Sequence, residues 1–149
     1  LQQTDVRLVN LRTGVVLDPD GGALARMLPI FRRGLGGRLG NGRQYMSWIS
    51  RPDLVRIIRF CIDHDSISGP VNAVAPNPVT NAEFSRVLGQ VLGRPAVMPV
   101  PRLALRLSMG EMAKEILAST RALPEKLLAD DFAFNHPDLE AALRALLKN

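Results

Sequence analysis

The stretch SRPDLVRIIRFCIDHDSISGPVNAVAP, Ser50 to Pro76, decides the fold class. Its first half reads as a helix. Ser50 is placed to cap it, Pro52 sits in the first turn, and Asp53 complements the partial positive charge of a helix N-terminus. Leu54, Ile57, Ile58, Cys61 and Ile62 recur at helical spacing and predict a buried stripe. His64 falls at the helix end, where the helix dipole or solvent accounts for it. The second half, GPVNAVAP, is a short apolar run between prolines and predicts a strand. A helix running directly into a strand is the unit from which α/β proteins are built.

Upstream, QYMSWI predicts a strand with alternating faces. It is preceded by RRGLGGRLGNGRQYMSW, Arg32 to Trp48, with glycines at 34, 36, 37, 40 and 42. A dinucleotide-binding loop follows a strand and opens a helix whose N-terminus meets the pyrophosphate. This loop follows a helical pattern and precedes a strand. Its letters fail too: a GxGxxG beginning at Gly34 needs glycine where Leu39 stands, and no Lys-Ser/Thr ending is present. The glycines therefore predict a loop whose backbone takes positive φ. Before it, Leu24, Met27, Leu28 and Phe31 predict a helix, short or kinked at Pro29. DPDGG separates that helix from DVRLVNLRTGVVLD, where Val6 and Leu8 open one strand and Val15, Val16 and Leu17 form a second apolar run.

Downstream, TNAEFSRVLGQVLG carries a capping box, Thr80 with Glu83, a stripe of Phe84, Val87, Leu88, Val91 and Leu92, and a stop at Gly93. RPAVMPVP is a Pro-rich connection with room for an edge strand. Residues 102–119, rich in Leu, Met and Ala, predict a helix. ALPEKLLADDFAF predicts a turn, a short helix and a strand-like FAF. NHPDLEAALRALL predicts a closing helix with His136 in its first turn and a face of Leu139, Ala142, Leu143 and Leu146. About four short strands alternate with helices. The class is α/β, but so few strands fit part of a larger sheet better than a doubly wound sheet of their own.

Bulk properties narrow the function. The chain has 149 residues, 46% hydrophobic and 22% charged, an ordinary globular balance long enough for a core. No apolar run approaches the roughly 18 residues that span a bilayer. The opening LQQTDVRLVN lacks a Met and a signal-peptide pattern and runs straight into a strand, so residues are expected upstream. Cys61 is the single cysteine, which excludes a disulfide framework and a multi-Cys zinc site and suits a reducing, cytoplasmic setting. The net charge is +5. Arg32, Arg33, Arg38 and Arg43 flank Tyr45 and Trp48 as a nucleic-acid surface would, but the arginines are scattered from Arg7 to Arg144 and no nucleic-acid-binding signature occurs. His64 and His136 have no partners at metal-ligand spacing. There is no Gly-x-Ser-x-Gly elbow and no Tyr-x-x-x-Lys.

The order of motifs, LRTGVVLDPDGGAL, GLGGRLGNGRQYMSWISRPDL, GPVNAVAPNPVTNAEF, LGRPAVMPVP and LPEKLLADDFAFNHPDLEAAL, resembles one branch of the extended short-chain dehydrogenase/reductase superfamily. That branch is the nucleoside-diphosphate-sugar epimerase-like group, and the resemblance is to its C-terminal half, including a final domain of unknown function. It implies the C-terminal part of a Rossmann-type NAD(P)-binding protein that lacks the N-terminal dinucleotide-binding half. Residues 1–95 would supply the end of the sheet and the substrate cap, and 96–149 the small helical domain. The dinucleotide loop and the Tyr-x-x-x-Lys pair of such enzymes would precede this chain. NAD or NADP would then be bound by the intact protein and not by this chain alone, and no catalytic residue is expected here.

The resemblance also assigns positions. Arg12, Thr13 and Gly14 would line the cofactor side of the cleft. Gly22 and Met27, on the next helix, and Gln44, Met46 and Trp48 would line the substrate side. GNGRQYMSWISRPDL is similar to the family's GDG…RDYIHVDDL pattern. The arginine that grips a substrate diphosphate falls on Met46, and a histidine position falls on Ser50. Gln44 should share a strand face with Met46, with Arg43 pointing away. The expected partners are a small-molecule substrate such as a sugar nucleotide, the missing N-terminal half, and a second copy in a homo-oligomer, because strand 6–11 would leave an edge and an apolar face uncovered. A non-catalytic sensing or scaffolding protein and an arginine-rich nucleic-acid binder are the competing readings.

Overall fold

A computed structural model of the chain describes residues 6–99 and 119–148. Among these residues there are six strands and five helices, in the order β1 (Val9–Thr13), β2 (Val15–Leu17), α1 (Gly22–Arg32), β3 (Tyr45–Met46), β4 (Trp48–Ser50), α2 (Arg51–Asp63), β5 (Gly69–Ala73), β6 (Val79–Thr80), α3 (Asn81–Leu92), α4 (Glu125–Ala129) and α5 (Leu139–Leu147). The class is α/β with short strands, as the sequence predicts. The expected helix at 102–119 falls outside the described residues except at its last position.

The strands pair two by two. β1 lies parallel to β5, Val9 opposite Gly69 through Thr13 opposite Ala73. β2 lies parallel to β4, and β3 runs antiparallel to β6. The strand count exceeds the expectation because QYMSWI divides at Ser47 into β3 and β4, which pair with different strands, and because β6 adds a further short one. At Gly14 the chain leaves β5 for β4: Gly14 N–H donates to Ala73 O at 3.3 Å, and Val15 N–H donates to Ser47 O at 2.8 Å. A side chain at position 14 would put its Cβ 2.5 Å from Ser47 O and 2.9 Å from Val74 Cγ1, so only glycine lets the chain pass. Val79–Thr80 is too short to leave a two-residue alternation in the sequence.

Local signals work as read. Ser50 Oγ accepts from Asp53 N–H at 3.3 Å and caps α2, and Thr80 Oγ1 accepts from Glu83 N–H at 3.3 Å and caps α3. Gly93 ends α3 at φ +62°, a left-handed position. α1 runs through Pro29, which is exposed.

The core gathers Leu17, Leu24, Phe31, Trp48, Ile49, Ile57, Val71, Phe84, Leu88, Leu127 and Leu143. Four expectations are corrected. In α2, Ile57 and Cys61 are buried, but Ile58 and Ile62 are 42% and 66% exposed. FAF is not a strand; Phe132 and Phe134 pack edge to face, and Phe132 meets Phe60 in the same way. Residues 94–99 form no strand: Arg94 N–H turns back to Gly89 O at 2.9 Å, and Met98 N–H donates to Gly36 O at 3.2 Å and seats the segment against the glycine loop. His136 precedes α5, whose N-cap is Asp138.

Candidate functional site

Ligands of parallel α/β sheets bind where the carboxyl ends of the strands open into a crevice. Here those ends are Thr13 on β1 and Ala73 on β5. Arg12 and Thr13 are exposed at that point. Arg12 stands in register with Asn72, whose Nδ2 donates to Leu123 O at 3.0 Å. Among the described residues the Arg12 guanidinium makes no hydrogen bond or ion pair. Gly14 follows directly, where the two ladders part.

Gly22, the first residue of α1, adopts φ +64° and is exposed, and Met27 is half-buried one and a half turns on. The glycine loop is fastened to the N-terminal end of α3. Leu39 N–H donates to Asn81 Oδ1 at 2.7 Å, Asn81 N–H to Gln44 O at 2.9 Å, and Gln44 Nε2 to Leu39 O at 3.0 Å. Gly34, Gly40 and Gly42 take positive φ. Gly37 and Gly36 serve close approach instead: a Cβ on Gly37 would strike Met98 O, and one on Gly36 would lie 2.5 Å from the Phe31 ring. Two of the loop's carbonyls are taken up by protein contacts, Gly36 O accepting from Met98 N–H at 3.2 Å and Gly37 O from the Ser85 hydroxyl at 3.1 Å.

The β3–β4 segment turns two of the expected site residues inward. Gln44 is buried, and its Oε1 has no hydrogen-bond partner among the described residues. Met46 is half-buried with Sδ 3.4 Å from Asn81 Nδ2. Trp48 has no exposed surface, and its indole N–H donates to Asn77 O at 3.1 Å. Between them Ser47 holds a strap from the C-terminal region: its hydroxyl donates to Thr120 O and accepts from Ala122 N–H, each at 2.8 Å. Arg121 of this strap lies over the Tyr45 ring, 5.2 Å from its centroid.

A polar cluster that sequence reasoning did not assemble sits at the start of α2. Asp53, fully buried, accepts from Arg56 at 2.9 Å, from Asn135 N–H at 3.0 Å and from His136 N–H at 2.8 Å. Ser50 Oγ lies 3.1 Å from His136 Nδ1. Serine, histidine and aspartate meet here, but not as a nucleophilic triad. In a triad the serine and the carboxylate address opposite ring nitrogens. Here both face Nδ1, Asp53 Oδ2 at 3.9 Å, and Ser50 has no exposed surface. The cluster joins the 132–138 segment to α2. Only the capping role of Ser50 and Asp53 has a local sequence signal; their meeting with His136 has none.

Elsewhere, a groove of about 320 Å³ runs along Arg86, Gln90, Arg94, Pro95, Ala96 and Val97, away from every expected site residue. No group of three His, Cys, Asp or Glu that could hold a metal occurs among the described residues. No helix among them is long and apolar enough to cross a membrane.

Against known proteins, residues 100–146 match a family described as Domain of unknown function (DUF1731). The chain is 50% identical over 143 residues to the Epimerase family protein Mb2239 of Mycobacterium bovis, covering 95% of this chain and 48% of that protein. It superposes on the crystal structure of the human epimerase family protein SDR39U1 (isoform 2) with NADPH at a TM-score of 0.91 and 38% identity, covering 94% of this chain and 48% of the other. The chain belongs to this epimerase family. It corresponds to the C-terminal part and spans about half the length of the curated relatives it matches. A nucleoside-diphosphate sugar epimerase from Corynebacterium glutamicum also shares the architecture, at a TM-score of 0.68 and 35% identity over 94% of this chain and 26% of that one.

Proposed function

We propose that this chain is the substrate-side portion of a nucleoside-diphosphate-sugar epimerase-like protein that works with NAD(P). The observation that carries the reading is the match, along 94% of the chain, to half of a family protein solved with NADPH. The donor set suits such a cofactor: the Arg12 guanidinium, without a partner among the described residues, and the exposed Thr13 hydroxyl are available to phosphate or ribose oxygens, and Gly14 follows them where the two ladders part. The bound nicotinamide would supply hydride transfer. This chain's residues would bind and orient, with Arg12, Thr13 and Gly14 toward the cofactor and Gly22, Met27 and Met46 along the substrate wall. Gln44 and Trp48, turned inward, would shape that wall from behind.

Epimerase, dehydratase and reductase chemistry all fit this frame. Met46 favours a narrower second reading. A thioether cannot grip a diphosphate, and this one is packed on Asn81. The substrate of the intact protein would then lack a tightly held diphosphate, or the protein would sense nucleotide without turnover.

The test uses the intact protein. NADPH and NADH binding is read by nucleotide fluorescence, and a panel of sugar nucleotides by thermal shift in the presence of cofactor. Arg12→Ala should weaken cofactor binding by about tenfold with an unchanged unfolding midpoint. Failure of the intact protein to bind either nucleotide would overturn the main reading. A sugar-nucleotide shift that Met46→Ala abolishes would overturn the second.

A further inference from the structure

From Gly21 to Pro52, and again from Phe84 to Gly110, the sequence carries arginines and no carboxylate. The fold brings described parts of these two runs together. The glycine loop lies along α3. At one end a Cβ on Gly42 would meet Ala82 Cβ at 2.8 Å and Arg38 Cβ at 3.1 Å, and at the other a Cβ on Gly34 would lie 3.6 Å from Pro95 Cγ. Arg33 and Arg38 of the loop are thereby set along the same helix as Arg86 and Arg94, and all four are exposed. None of the four makes an ion pair among the described residues. Arg86 Nη1 donates to Gln90 Oε1 at 2.8 Å, a neutral acceptor that fixes the guanidinium and leaves its charge uncompensated.

Arg86 and Arg94 border the groove of about 320 Å³. Its shape has a local cause. Gly93 ends α3 in the left-handed conformation and turns the chain back, with Arg94 N–H donating to Gly89 O at 2.9 Å and Gly93 N–H to Gln90 O at 3.1 Å. Gly89 lets the returning segment lie on the helix, since a Cβ there would come within 2.7 Å of Ala96 Cβ. Gly89, Pro95, Ala96 and Val97 give the groove its apolar lining. Val97 is 77% exposed and the adjoining Met98 51%. The negative end of the helix does not cancel the arginines. It amounts to about half a charge, and the Gly89 and Gln90 carbonyls are already bonded.

Arginine and methionine around an apolar hollow are what protein interfaces favour. A nucleic acid suits the charges but not the hollow. Its bases stack on exposed rings, whereas Phe31, Trp48 and Phe84 are buried and Tyr45 has Arg121 over it. At about 1.5 Å per residue, α3 spans about 15 Å from Ala82 to Leu92, which an extended segment of about five residues matches.

We infer that this groove docks an acidic segment of a partner protein. The segment is extended, seats one aliphatic side chain against Ala96 and Val97, and sets carboxylates toward Arg86 and Arg94. Arg33 and Arg38 add longer-range attraction from the loop. The groove lies apart from Arg12 and Met46, so the inference stands independently of the nucleotide and substrate of the intact protein.

The probe is a fluorescein-labelled peptide of glutamates around a single leucine. It is titrated into the intact protein at low ionic strength, without nucleotide, and followed by fluorescence anisotropy. Binding should weaken about tenfold when Arg86→Glu and Arg94→Glu are combined, with the unfolding midpoint not lowered. It should also weaken about tenfold when glycine replaces the leucine of the peptide. Absence of binding, or binding that neither change weakens, would overturn the inference. So would displacement of the peptide by a lower concentration of single-stranded oligonucleotide, which would assign the arginines to nucleic acid. Self-association of the intact protein that the charge reversal abolishes would overturn it too, by assigning the groove to a second copy. Should the reversed variant misfold, a peptide with a diazirine in place of its leucine should cross-link the unaltered protein at Ala96 to Met98, and cross-links placed elsewhere would count against the groove.

Discussion

The backbone N–H of His136 donates to Asp53 Oδ2 at 2.8 Å across 83 positions of sequence. One carboxylate at the start of α2 thereby satisfies a turn of backbone that belongs to the other end of the chain. Because Asp53 has no exposed surface, these bonds are made in a setting where water cannot replace them.

Replacing Asp53 should therefore cost more than an ordinary helix-cap substitution. Asp53→Ala strands two backbone donors and frees Arg56, and should lower unfolding free energy by roughly 2–4 kcal/mol. Asp53→Asn keeps one acceptor oxygen and should lose about half as much. Denaturant unfolding measures both, and limited proteolysis should show the 131–147 region released first. A change within about 0.5 kcal/mol would place Asp53 among neutral surface positions.

Ser50 and His136 should prove coupled. Ser50→Ala removes the α2 cap, at about 1 kcal/mol, as well as the contact with the imidazole. In a double-mutant cycle with His136→Ala the interaction energy should be about 1 kcal/mol. Strict additivity would show that the 3.1 Å contact contributes nothing.

Asparagine should be milder than alanine at one glycine and no milder at another. At Gly93 the backbone is left-handed with open space around it, so Gly93→Ala should cost about 1 kcal/mol and Gly93→Asn less. At Gly14 the obstacle is the backbone of Ser47, so alanine and asparagine should both cost about 1–3 kcal/mol or more. Rescue of position 14 by asparagine would mean that conformation, not space, selects glycine there.

Burial pushes the Cys61 thiol above its ordinary value of 9.0, and the Arg7 charge pulls it partly back. Below that value both states keep the proton and stability is at its full level. As pH rises past it, the unfolded chain ionises while the folded chain does not, and stability falls until the raised native value is passed. Cys61→Val should flatten this alkaline loss, measured as the difference between the two proteins' unfolding free energies against pH. Iodoacetamide should likewise modify native Cys61 far more slowly than the unfolded chain. Identical alkaline profiles for the two proteins would remove the thiol from the account.

What could be read from the residues alone was local. Ser50, Thr80 and Gly93 act within one turn of their own helices, so their roles need no knowledge of the rest of the chain. The exposure of Ile58 and Ile62 could not be read, because periodicity marks an apolar arc without saying how much of it is covered. Asp53 looked like a first-turn acid, since nothing near it announces that Asn135 and His136 will arrive. Partner exchange at Ser47 was hidden for the same reason: QYMSWI reads as one continuous strand, and only tertiary pairing divides it into β3 and β4. Among the expected site residues, Arg12 and Thr13 lie exposed at a strand end where their chemistry can be used. Gln44 and Trp48 were drawn inward by packing that strand alternation does not foresee.

Gly14 also separates two ladders that close loops of different length, Val15 to Trp48 on one side and Val9 to Gly69 on the other. The longer loop is nearly double the shorter, which costs only about 0.6 kcal/mol more in closure entropy and so does not settle which ladder zips first. Burial settles it: Leu17, Trp48 and Ile49 have no exposed surface, whereas β1 alternates between half-buried and exposed. The folding nucleus is expected on the β2–β4 side. Ile49→Val should slow folding, while Leu11→Ala should mainly speed unfolding. Equal slowing by both would refute that order. The residue without a side chain then marks a boundary in time, between the part of the strand that forms in the transition state and the part that waits for β5.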